Sequence, residues 1–264
     1  MLAIRGRSIA ARDATSAAVE SGMNGSAVDQ QLLQIVSGSD VASISDVVAK
    51  LQAIEGVLPG NDGLKWFNLL YLKVTQQVDL QPPAGGWQDA AWLVRLDVVF
   101  AGLYLAALKN WIERSPNVPS SWRALFEARF AAGIDRIQFA LAGMNAHINH
   151  DLALALLQTD AEMNLTPGLS SPERADFERV NGILEVVLPQ ALTFLAADVL
   201  GEAAQDTGKI GRLLAIWSVG AARDFAWNLA DALRPMIPDV RSATMALQDQ
   251  TTGVLGRTLL LPMP

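Results

Sequence analysis

Cysteine is absent from the 264 residues, which excludes disulfide frameworks, thiolate zinc sites, iron–sulfur clusters and cysteine nucleophiles. Histidine is almost absent, with His147 and His150 the whole supply. Charge is scarce as well. Only 18% of residues are charged and 51% are apolar, the composition of a compact chain with a deep interior rather than a disordered one. Twenty basic residues against 27 acidic ones leave a net charge of −7. Nonspecific nucleic-acid binding needs a basic face to displace counterions, so that class is set aside. Neither a P-loop nor a dinucleotide glycine fingerprint occurs. A Gly-x-Ser-x-Gly elbow is missing too, and Ser218 in Trp217-Ser218-Val219-Gly220 has no strand before it.

Long hydrophobic runs are also lacking, despite a mean hydropathy of +0.24. The charge-free stretch 98–108 falls short of the roughly twenty residues that a bilayer requires. The stretch 183–200 is interrupted by Glu185, Gln190, Asp198 and Pro189. Both read as buried core helices, and no membrane span is expected. Residues 1–27 carry Arg5, Arg7, Arg12 and Asp13 among small residues, without a continuous hydrophobic region of the signal type. They read as a loosely structured lead-in to a single domain over 28–264. A cytoplasmic location is expected.

What the chain does have is helical periodicity nearly throughout, with no convincing alternating strand. The expected helices cover 28–36, 45–57 capped by Ser45, 63–78 capped by Asn61 or Asp62, and 88–114. The next runs from Ser120 or Ser121 to 142. Ser170 and Glu173 have capping-box spacing ahead of a helix over 172–200, kinked at Pro189. Helices over 206–233 and 240–251 complete an all-α domain of about eight to ten helices. No repeat of solenoid length occurs.

Several charges sit among apolar neighbours at helical spacing: Arg95 and Asp97, Glu185, Asp198, and Arg223. Charges in a core must be paired or must shift their protonation. The bland reading is a set of structural ion pairs; a cluster around the histidines would be harder to dismiss.

Both histidines lie in one phrase, Asn145-Ala146-His147-Ile148-Asn149-His150-Asp151. On an α-helix, His147, His150 and Asp151 share an arc of about 100°, and Asn145 and Asn149 share another. Three readings stand. His147 and His150 ligate a metal together with Asp151 or Asp97, although no third histidine and no Glu-x-x-His motif supports them. His147 is a general acid/base oriented by Asp151 or by Asp97. Or the phrase is structural, with Gly143 weakening one helix, the two asparagines bonding exposed backbone, and Asp151 capping the next helix.

A set of phrases carries a family resemblance: Asp62-Gly-Leu-Lys-Trp-Phe67 with Tyr71 and Val74-Thr75, then Leu96-Asp-Val-Val-Phe-Ala101 with Tyr104. The most specific is Gly143-Met-Asn-Ala-His-Ile-Asn149 followed by Asp151-Leu152. Asp176-Phe177 with Val180-Asn181, and Arg223 with Ala226-Trp227, extend it. Together they resemble the bacterial Domain of Unknown Function 5995, from about Ser45 to the C-terminus. The resemblance implies a helical fold and no established activity. Its pattern leaves the position of His150 open, which shifts weight from a two-histidine metal site to His147 with Asn145, Asn149 and Asp151. Asp97, Asp176, Asn181 and Arg223 then become expected neighbours in one polar pocket.

The leading expectation is therefore an internal pocket for a small, largely apolar molecule. His147 serves there as acid/base or polar anchor, supported by Asp97 and Asp151; the seven tryptophans could help line the walls, although aromatic residues in helices are more often simply packing. A metal-dependent enzyme and a non-enzymatic interaction protein are the alternatives. No cofactor is specified by the sequence.

Overall fold

The computed structural model describes residues 27–80, 82, 84–196 and 218–262. All of the expected lead-in except Ala27, together with Asp198 and the start of the helix expected from 206, lies outside the described residues. Regular structure among the described residues is entirely helical, so the protein is all-α. Helix α1 covers 27–36, α2 Ile44–Val57, α3 Leu64–Leu80, α4 Ala90–Ile112 and α5 Ser120–Ala128. Helix α6, Arg136–Ala146, passes without a break through a π-turn at His147–Asp151 into α7, Leu152–Met163. Helices α8, Pro172–Ala196, α9, Val219–Leu233, and α10, Pro238–Leu259, follow. Buried apolar side chains from α1 through the end of α10 form one contiguous core.

Local chemistry sets most of the boundaries. Ser43 rather than Ser45 caps α2, accepting from the Asp46 amide at 3.1 Å. Asp62 accepts from the Leu64 amide at 3.0 Å, and Asp89 caps α4. Ser171, one residue beyond the expected Ser170, accepts from the Arg174 amide at the start of α8. Ser218 is extended (φ −104°, ψ 118°) and caps α9, which interrupts the continuous helix expected over 206–233. Helix α10 outruns its expected span of 240–251, opening on Pro238 in its first turn.

The helix expected from Ser120 to 142 is two helices. Arg129 ends α5 because its guanidinium is drawn into the core, bonding both Asp62 oxygens at 3.0 and 2.5 Å and Asp29 at 3.0 Å. Its carbonyl accepts from the Gly63 amide at 2.7 Å, and the chain then reverses through Gly133 at φ +77°. Neither Ser120 nor Ser121 caps α5 with its side chain. Asp249 of α10 does so instead, accepting both amides (2.7 and 2.9 Å) and the Ser121 hydroxyl (2.7 Å).

Close packing places α6 for its role. A Cβ on Gly143 would lie 2.3 Å from the Phe67 ring, so this glycine marks the crossing of α3 and α6 rather than a weak point in α6. Helix α4 is long and apolar enough to span a bilayer by length and composition, but 56% of its apolar window is buried within the protein. Two of the expected core charges, one on α4 and one on α8, are at the surface. Arg95 pairs with Glu162 at 2.5 Å and remains 41% exposed, and Glu185 on α8 is exposed. A helix that is apolar by its own neighbours can still present one edge to water.

Candidate functional site

The site begins with the π-turn. Five residues occupy one widened turn, closed by the Leu152 amide donating to the His147 carbonyl. Such insertions into a continuous helix recur where side-chain direction matters. Here His147, His150 and Asp151 meet through the carboxylate. Asp151 Oδ2 lies 3.1 Å from His147 Nδ1, and Oδ1 lies 2.8 Å from His150 Nδ1. Trp122 Nε1 donates to Oδ2 at 2.9 Å. Asp151 is not a helix cap, since α6 continues into α7 and no side-chain cap bond is made there.

These contacts determine protonation. Burial alone would raise the Asp151 carboxyl, but the hydrogen bonds from both imidazoles and their charge outweigh it and hold Asp151 below its ordinary value. An ionised carboxylate only accepts, so each Nδ1 facing it carries a proton. Burial is the dominant influence on His147 and lowers its pKa against the pull of Asp151. At neutral pH His147 is thus a neutral imidazole whose Nε2 bears the lone pair. For His150, burial also opposes the charge, but Asp151 and Asp249, whose Oδ1 is 3.8 Å from Nε2, raise its pKa.

His147 is enclosed by rings. Phe100 stacks on it at 3.5 Å between centroids and 6° between planes, and Tyr71 meets it edge-on at 4.6 Å. Phe67 and Trp122 stand at 5.7 and 5.9 Å. His147, Tyr71 and Phe100 line an apolar cavity of about 90 Å³, whose polar members also include Asp97 and Arg223. Among the described residues, His147 Nε2, Asp97 Oδ2 and the Tyr71 hydroxyl are buried with no hydrogen-bond partner. All three residues line this one cavity. A wider groove of about 590 Å³ beside Lys50, Arg95 and Lys109 includes none of them. Burial, with the charge of Asp79 adding to it, pushes Asp97 up to about 7.

Of the residues expected in one pocket, His147, Asp97 and Arg223 line the cavity, and Asn181 stands behind Arg223, accepting from its Nε at 2.5 Å. Asn145, Asn149 and Asp176 do not line it. Asn145 donates to the Thr252 carbonyl at 2.9 Å and accepts from Asn149 at 2.9 Å, and Gln248 donates to the Asn149 carbonyl. Their shared helix arc thus holds α10. Asp176 accepts from the amides of Gln88 and Asp89 at 2.9 and 2.7 Å, fixing the entry to α4. Backbone amides satisfy it as fully as a pocket would.

The metal reading fares worse. Among the described residues, no group of three or more His, Asp or Glu side chains is arranged to hold a metal ion. The two imidazoles aim Nδ1 at one carboxylate rather than at a common centre, and His150 faces α10. Of the two roles open to the tryptophans, packing is the one found at this cavity: Phe67, Tyr71 and Phe100 form its aromatic wall, with no tryptophan in it. The spacing of Phe67 with Tyr71 was the signal available for that wall, since i and i+4 share a helix face.

Residues 44–262 match the model of a family described as a family of unknown function, DUF5995. No curated protein and no solved structure matches the chain.

Proposed function

The chain belongs to the DUF5995 family, whose description supplies no activity, and from the site we propose that the cavity binds a small, largely apolar molecule, with His147 Nε2 as its polar anchor or acid/base. The supporting observation is the meeting of three unpartnered polar atoms, on His147, Asp97 and Tyr71, in one apolar cavity. Buried polar atoms are normally paired, so a cluster of orphans is the mark of a missing partner. Asp151 is then a positioning residue that fixes the imidazole tautomer. Asp97 is the second proton-bearing group.

Isobutanol is a suitable neutral probe, followed by NMR titration. It is expected to bind saturably and to perturb the His147 ring signals. His147→Phe keeps a ring against Phe100 and removes both nitrogens, and should weaken isobutanol by about tenfold, the worth of one hydrogen bond. Equal affinity in a variant with native circular dichroism would remove His147 from the site.

An interaction protein is the second reading, favoured by the outer face of α10. Val240, Leu247 and Val254 are exposed at seven-residue intervals, and Leu261, just past the end of the helix, is exposed as well. Thr244, Thr251 and Thr258 bond the carbonyls of Val240, Leu247 and Val254 at 2.9, 2.9 and 3.0 Å, which frees this face of hydroxyl donors. A seven-residue apolar repeat suits helix pairing, and a twofold axis sets the same stripe against itself, so the occupant proposed is a second copy of the chain. Light scattering should give twice the 28.3 kDa chain mass, and Leu247→Glu with Val254→Glu should halve it. A wild-type monomer at every accessible concentration would end this reading.

A further inference from the structure

We infer that the ligand of this cavity is a small aliphatic monocarboxylate, its hydrocarbon held by the apolar wall and its carboxylate by Arg223. The inference rests on the cavity reading and adds the ligand's chemical class. Arg223 comes from α9, is buried at 6% exposure, and lines the cavity. Its Nε donates to Asn181 Oδ1 at 2.5 Å and its Nη2 to the Phe177 carbonyl at 3.2 Å, while the guanidinium lies 4.1 Å over the Phe177 ring. These partners are neutral. Two donors are used of the five that a guanidinium carries.

Two acids among the described residues act on the charge of Arg223, and both are committed elsewhere. Glu178 pairs with Arg174 and accepts from Asn181 at 2.9 Å, and Asp224 pairs with Arg174 at 3.0 Å. No carboxylate among the described residues forms an ion pair with Arg223. Burial pushes its pKa down to about 10, which still leaves a cation at neutral pH. A buried cation with no ion-paired carboxylate among the described residues is costly, and an arginine fork matches a carboxylate in shape as well as in sign.

The other polar groups of the cavity tolerate such a guest. Tyr71 offers a hydroxyl donor, His147 is neutral at Nε2, and Asp97 in its protonated form repels no anion. Size narrows the class further. A cavity of roughly 150 Å³ accepts benzene, so the 90 Å³ here suits about four hydrocarbon atoms.

The test compares isobutyrate, isobutanol and isobutylamine on the full chain by NMR titration at pH 6, below the value to which Asp97 is pushed. Isobutyrate should bind at least about tenfold more tightly than isobutanol, and isobutylamine should bind weakest. In Arg223→Gln the preference for the acid should vanish, and Arg223→Lys should restore part of it. The wild-type probe series stands even if Arg223→Gln fails to fold. Isobutanol binding as well as isobutyrate would overturn the carboxylate inference while leaving the cavity reading intact. Binding of none of the three would overturn both. A hexanoate or octanoate preference would overturn the size limit.

Discussion

Asp151→Ala is expected to cost about 3–5 kcal/mol of stability, the usual result of removing one member of a buried charged pair. The carboxylate takes three ring donors, from His147 at 3.1 Å, His150 at 2.8 Å and Trp122 at 2.9 Å. Alanine leaves all three in a space that water enters poorly, and leaves His150 facing Asp249 without its stronger partner. Urea denaturation at pH 7 reads the change; a loss under about 1 kcal/mol would show that the triad is incidental. The pH dependence has a definite sign. Asp151 is held below its ordinary 3.8, so its contribution is present above that value and fades as acid protonates it. His150 is raised above 6.5, so its contribution is complete below that value and is lost as pH rises through its folded pKa. The difference between wild type and Asp151→Ala should therefore be largest between these two limits. Asp151→Asn should lose less stability, because its carbonyl still serves one imidazole, while its amide forces the other to change tautomer. The ring nitrogen NMR shifts of His147 and His150 distinguish the two outcomes.

The meeting of His147 with Asp151 was legible because i and i+4 adjoin on any helix. The π-turn was not. Its defining bond, from Leu152 to the His147 carbonyl, is one register step from an α-helical bond and leaves no mark on the apolar periodicity. The break after Ala128 was hidden for a related reason: Arg129 looks like a surface cation in sequence and is buried only because Asp62, from α3's entry, faces it. The same limit misled at Arg95 and Glu185, whose own-helix neighbours are apolar although their outer edges face solvent. Asp176 and Asn145 show the converse. Burial of a polar residue was inferable for both, but partners that are backbone groups of distant segments were not. The family phrases did better than periodicity. Phe67, Tyr71, Asp97, Phe100 and His147 come from three separate stretches of chain and line one cavity.

Asp97→Asn is expected to act in the opposite direction from Asp151→Ala, stabilising the protein in alkaline solution. Asp97 is pushed from 3.8 up to about 7 by burial and then by Asp79. Its neutral form is thus tolerated in the folded chain, whereas the unfolded chain ionises near the ordinary value. Stability contributed by this group is complete below about pH 4 and declines until the folded carboxyl also ionises, near 7. Asparagine removes that decline. The gain at pH 8.5 is at most about 4 kcal/mol, and it should vanish near pH 4. Matched denaturation curves of wild type and variant at the two pH values cancel every other titrating group; a difference independent of pH would refute the burial argument. A carboxyl that destabilises its own fold, unpaired in a cavity beside a neutral imidazole, is not explained by packing. Burial raises Asp97 and lowers His147, so it favours the uncharged form of both groups. If isobutyrate binds, Asp97→Asn should keep that affinity to higher pH than wild type, because no second anion then forms in the wall of the cavity.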